Sequence, residues 1–183
     1  MTTVIGGSSP SITFSDSTTQ STAALPLTGG TLTGALTPST TAGIVGTTLA
    51  DNANAGSVGE YVSAQVTAIS TGATSGTASN ATSISLTAGD WDVNGAFSFN
   101  LSGSSASAAN GGISTTSATL PSTVSGLCTS INSAQTANGG GSYTVPTLRI
   151  NITTTTTVYL VAQIVFTGGT AGVGGFIRAR RAR

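Results

Sequence analysis

The chain has 183 residues and no formal net charge, with five acids balanced by five arginines and neither Lys nor His. Ser and Thr make up about a third of it, while Trp, Tyr and Phe are scarce. So sparse a set of ionisable groups argues against proton chemistry, metal binding and a distributed cationic grip on nucleic acid. No enzyme activity, cofactor, metal site or nucleic-acid partner is expected.

The charges are also polarised. Asp16, Asp51, Glu60, Asp90 and Asp92 all precede Arg149, the first base, and the other four Arg fall within the last six residues. With little charge to keep single copies apart, burial of surface in an oligomer is expected. The length suits one domain, or one domain with an arm. Met1 to Gly7 lacks a basic, then apolar, leader pattern, and no stretch approaches the roughly 20 apolar residues of a membrane span. The expectation is a soluble protein made in a cytoplasm and not inserted into a membrane. Cys128 is the single cysteine and has no His or Lys to activate it, so a buried, inert thiol is expected.

Residues 1–56 carry apolar groups only as isolated points, among them Leu25, Leu27, Leu32 and Leu36, separated by Gly, Thr and Pro. So few large side chains do not offset a backbone ordering cost of about 1–2 kcal/mol per residue. An extended arm is expected, ordered by bundling with copies of itself or by lying along a partner.

From Glu60 onward the hydrophobic period becomes two, the mark of strands. Val62, Ala64 and Val66 alternate with Ser63 and Gln65; Ile84 and Leu86 alternate with Ser83 and Ser85. Trp91, Val93, Gly95, Phe97, Phe99 and Leu101 share one face, opposite Asp92, Asn94, Ala96, Ser98 and Asn100. Leu148, Ile150 and Ile152 repeat the pattern. Val158 to Phe166 is apolar on both faces, which suits the centre of a sandwich or a place between a core and a subunit interface. Gly-rich turns separate these runs, and Thr123 to Ala134 is the one candidate for a short helix. The fold class expected is all-β: an extended N-terminal arm, residues 1–56, and a jelly-roll-like antiparallel β-sandwich, residues 57–183.

Two stretches of the arm carry a resemblance. Ile12-Thr13-Phe14-Ser15-Asp16-Ser17-Thr18-Thr19-Gln20 and Leu25-Pro26-Leu27-Thr28-Gly29-Gly30-Thr31-Leu32-Thr33-Gly34-Ala35-Leu36 are similar to recurrent elements in the N-terminal and shaft regions of tailed-bacteriophage fibre proteins. The later half, from Gly59-Glu60-Tyr61-Val62 through Leu86-Thr87-Ala88-Gly89-Asp90-Trp91 to the closing Arg-rich run, resembles a head domain found at the ends of such fibres. The resemblance implies a homotrimeric virion protein, assembled in the host cytoplasm. Residues 1–50 would bind other virion proteins of the tail or capsid, and the head would attach to the host surface. A capsid head fibre or decoration protein is the alternative, and a bacterial surface adhesin the second, against which the missing export signal counts. In a trimer, Leu25, Leu27, Leu32 and Leu36 point inward, because the Gly and Thr between them let three chains approach closely.

Four features are candidates for a site. Asp90 and Asp92 share a strand face about 7 Å apart, a spacing compatible with an inverting glycosidase. Asp90 follows a Gly in a turn and no aromatic platform accompanies the pair, so catalysis is not the expected role. Thr153 to Thr157 is a single Thr run, read as a turn into the next strand rather than an ice-binding array. Arg178 and Arg180 share a face and are expected to pair between subunits with Glu60, Asp90 or Asp92 of a neighbour. Tyr143, read as part of the Gly139–Tyr143 loop, is the candidate contact for a host-surface glycan.

Overall fold

The computed structural model describes residues 12–13, 17, 19–20, 47–67, 69, 72–135 and 138–183. Leu25, Leu27, Leu32 and Leu36 lie outside the described residues. The chain divides between Leu49 and Ala50, upstream of the change in composition near Gly56–Gly59. In the first unit β1 (Ile12–Thr13) pairs antiparallel with β2 (Thr19–Gln20).

The second unit is all-β, with no helix among the described residues. Its strands are β3 (Tyr61–Val66), β4 (Ser79–Leu86), β5 (Gly89–Ser102), β6 (Ser105–Ser114), β7 (Cys128–Ile131), β8 (Gly140–Ile152), β9 (Thr156–Thr167) and β10 (Thr170–Arg181). They form two four-stranded antiparallel sheets, ordered β3-β10-β5-β8 and β4-β9-β6-β7.

The period-two pattern sets which side chains meet between the sheets. On β5, Trp91, Val93, Phe97, Phe99 and Leu101 are buried, whereas Asp92 and Asn100 are exposed. On β9, Val158, Leu160, Ala162 and Ile164 face the same core. The contact between sheets is closest where Phe97 lies on the backbone of Gly111 in β6. A Cβ at Gly111 would fall 2.1 Å from the Phe97 ring. β9 is covered on part of its outer face as well, by its own chain. Val161 lies in register between Asn80 and Gly112 and is fully buried. The β6–β7 connection passes over these neighbours: Asn80 bonds Ser117 and Ala118, and Pro121 crowds Gly112. Part of the outer face is therefore covered by the chain's own loop.

Three local expectations are corrected. The short helix over Thr123 to Ala134 does not form: turns run to Leu127, Gly126 adopts a φ of 76°, and β7 follows, paired to β6. Tyr143 stands within β8 rather than in a loop. Asp90 lies in β5, buried, rather than in a turn. The Thr run does form a bend, Thr153–Thr154, before β9 begins at Thr156.

Candidate functional site

One end of the β3-β10-β5-β8 sheet gathers most of the described charges. Alternation along β10 puts Ile177, Ala179 and Arg181 on the core side and Arg178 and Arg180 on the outer side. Arg181 therefore carries its charge inward, opposite Trp91 in the β5 register, and is only 5% exposed. A buried guanidinium is tolerable only if its donors are met. Here Nε donates to Glu60 Oε2 at 2.9 Å, Nη1 to the Ala88 carbonyl at 2.8 Å and Nη2 to Thr87 Oγ1 at 2.6 Å. The same guanidinium lies over the Trp91 ring, 4.3 Å from its centroid, a cation–π arrangement. Trp91 is fixed in turn by donating Nε1–H to the Thr87 carbonyl at 2.9 Å. Gly89 makes the room: a Cβ there would fall 1.9 Å from Arg181 Nη1.

Glu60 is held from two sides. Its Oε2 accepts the Gly56 N–H at 2.7 Å as well as Arg181 Nε. The Gly56 N–H holds the carboxyl below the usual range, against the opposing effect of burial and with further help from Arg181.

A second clamp lies next to the first. Asp90, 4% exposed, accepts from Arg149 Nε at 2.8 Å and from a second arm of the same guanidinium, while Arg183 Nε approaches Oδ2 at 2.9 Å. Arg149 is the main cause of a lowered Asp90 pKa, and the Arg149 pKa is raised in return. A glycosidase general acid needs its pKa raised. Asp90 has the opposite shift and both of its oxygens are occupied, the reverse of what that role asks of it.

Above these clamps, the outer sheet face holds a cleft of about 350 Å³ lined by Tyr61, Asp92, Asn94, Thr147, Arg178 and Arg180. A bulge at Pro146 shapes one wall. Val93 pairs with Leu148 and Gly95 with Val145, so Val145 returns to the core while Thr147 stays outside beside Arg149. Pro146 fits there because β8 is an edge strand. Arg178 Nε donates to Asn94 Oδ1 at 2.7 Å. Asp92 lies in register between Arg149 and Arg180.

The structure thus separates residues that the sequence groups together. Glu60 faces inward and is taken by Arg181 of its own chain, while Arg178 and Arg180 lie on the opposite sheet face. The inter-subunit pairing expected for them loses Glu60 as its acid, and Asp90 is likewise taken by Arg149 and Arg183. Tyr143 packs on Phe97 and Phe99, with ring centroids 5.7 and 6.1 Å away. It belongs to the core margin and not to an exposed platform. The exposed ring beside the arginines is Tyr61, 40% accessible, which the sequence reading passed over. Its signal was present: Tyr61 shares the polar register of Ser63 and Gln65 in β3. Among the described residues no three of His, Cys, Asp and Glu come together as metal ligands. In comparison with known proteins, the chain matches no family model, no curated protein and no solved structure.

Proposed function

We propose that this chain is a structural virion fibre protein without enzymatic activity. In this reading it is a homotrimer whose extended arm anchors it to the particle and whose jelly-roll-like sandwich is displayed outward for host attachment. The carrying observation is the use made of charge. Glu60 and Asp90, the acids best placed for chemistry, are tied by Arg181, Arg149 and Arg183 into clamps that close one end of the sandwich. Such a domain is built to persist and present a surface. The fibre-like elements of the arm and the spaced Leu25, Leu27, Leu32 and Leu36 support assembly around a threefold axis.

Imaging of intact particles with a label fused after Arg183 tests the reading. Label at projecting fibres on the tail supports host attachment, and label over the shell supports the capsid-decoration alternative. Label on a bacterial surface with none on particles overturns the proposal in favour of an adhesin. Sedimentation equilibrium at micromolar concentration is expected to give a species three times the 17.7 kDa chain mass. A single-chain mass throughout contradicts the trimer.

A further inference from the structure

We infer that the outer-face cleft bounded by Tyr61, Arg178 and Arg180 is a binding site for a carboxylate-bearing saccharide. The inference deepens the proposed function by naming a ligand class, and it rests on that reading for its biological role. The binding chemistry itself rests on the cleft.

Charge is the first argument. Among the described residues the ion pairs use Arg149, Arg181 and Arg183, and neither Arg178 nor Arg180 has a carboxylate within 4.0 Å. These two side chains leave the same strand face from positions about 7 Å apart along the backbone. They share the cleft with one acid, Asp92, so the lining keeps a net positive charge. Two like charges held side by side without matched acids repel, and an anion bound between them relieves that repulsion. Planar guanidinium forks suit a planar carboxylate.

The neutral groups narrow the class of anion. Arg178 Nε engages Asn94 through its carbonyl oxygen, which leaves the Asn94 amide N–H groups to donate elsewhere. Thr147 offers a hydroxyl and Asp92 an acceptor, the groups that sugar hydroxyls require. Tyr61 contributes a half-open ring at the rim, on which the C–H face of a pyranose can lie. Its backbone is held by Asn52, which donates Nδ2–H to the Tyr61 carbonyl at 2.8 Å and accepts the Tyr61 N–H at 3.0 Å. The ring is therefore presented from an anchored strand end. Asp92 disfavours a compact dianion such as phosphate, which has no hydroxyl-rich side to turn toward a carboxylate. A uronic acid has both sides. The volume of about 350 Å³ lies at the small end of ligand sites and suits one or two sugar rings.

The test titrates the whole chain with glucuronic acid, glucose and inorganic phosphate, followed by amide and Arg Nε NMR shifts. Glucuronic acid is expected to shift Tyr61, Asn94, Arg178 and Arg180 and to bind at least about tenfold more tightly than glucose or phosphate. Arg180→Gln is expected to weaken glucuronic acid binding by about tenfold, and Tyr61→Ala by a similar factor. Both positions are exposed, and an unchanged near-ultraviolet spectrum from Trp91 confirms that each variant is folded. Equal binding of glucuronic acid and glucose, a preference for phosphate, or full binding by folded Arg180→Gln overturns the site. The titration uses the isolated protein, so it fails or succeeds independently of where labelled particles carry the chain.

Discussion

Arg181 lies over the Trp91 ring at the closed end of the sandwich, its guanidinium carbon 4.3 Å from the ring centroid, and its Nε pairs with Glu60. A charge in this position stabilises only as part of its set. Removing it leaves Glu60 facing inward with the Gly56 N–H as its remaining partner.

Arg181→Ala is therefore expected to destabilise the domain by about 2–3 kcal/mol, below the value for deep ion pairs because the clamp lies at the sandwich end. The Glu60→Gln, Arg181→Met double variant is expected to recover at least half of that loss, since no unpaired charge remains. Urea midpoints of the three proteins check both statements. A double variant less stable than Arg181→Ala contradicts the account.

Acid should loosen the same end. Glu60 and Asp90 are both held below the ordinary carboxylate range in the folded chain, so the unfolded chain takes up their protons at higher pH. Their contribution is complete above that range, roughly pH 5, and is lost as the pH falls toward the folded values. Denaturant midpoints measured from pH 7 to pH 2 are expected to fall below about pH 4.5. The Glu60→Gln, Asp90→Asn variant should show a flatter curve.

Gly111 provides a steric test of the inter-sheet contact. Gly111→Ala places a methyl group against the Phe97 ring and is expected to cost about 1–3 kcal/mol. Phe97→Leu in the same chain should return part of it. Gly72, which has open space at its Cβ position, is the control, and Gly72→Ala should stay within about 0.5 kcal/mol of the parent. Thermal midpoints decide the comparison.

The two tyrosines separate structure from surface. Tyr143→Ala removes a ring stacked on Phe99 and tilted against Phe97 and is expected to cost about 2 kcal/mol. Tyr61→Ala should leave the midpoint nearly unchanged while weakening the uronic acid. If Tyr61→Ala is the more destabilising of the two, these assignments exchange.

Cys128 is buried on the outer face of its sheet, opposite Gly112, and burial pushes its thiol pKa up. Native protein is expected to react with a disulfide reagent at least about tenfold more slowly than urea-unfolded protein. Equal rates contradict its placement.

Much of the sandwich was legible along the strands. Trp91, Val93, Phe97, Phe99 and Leu101 announce one buried face because large apolar groups recur at a period of two, and no other arrangement hides them together. The inward direction of Arg181 was legible by the same parity, from Ile177 and Ala179. Tyr143 was misplaced because the glycines before it look like a turn. In β8 those glycines make room instead: a Cβ at Gly141 would lie 2.7 Å from the Tyr143 ring.

The sequence alone determined an all-β domain, the buried face of strands with a clear period of two such as β5, and the scarcity of groups able to do chemistry. These follow from residue type and spacing, which are local. The tertiary structure decided which charges meet. Glu60 and Arg181 are 121 residues apart and join only because β10 inserts between β3 and β5. The same insertion brings the outward-facing Arg180 into register with Tyr61. Strand order depends on how the sheets pack as wholes, and side-chain alternation within any one strand carries no record of its neighbours.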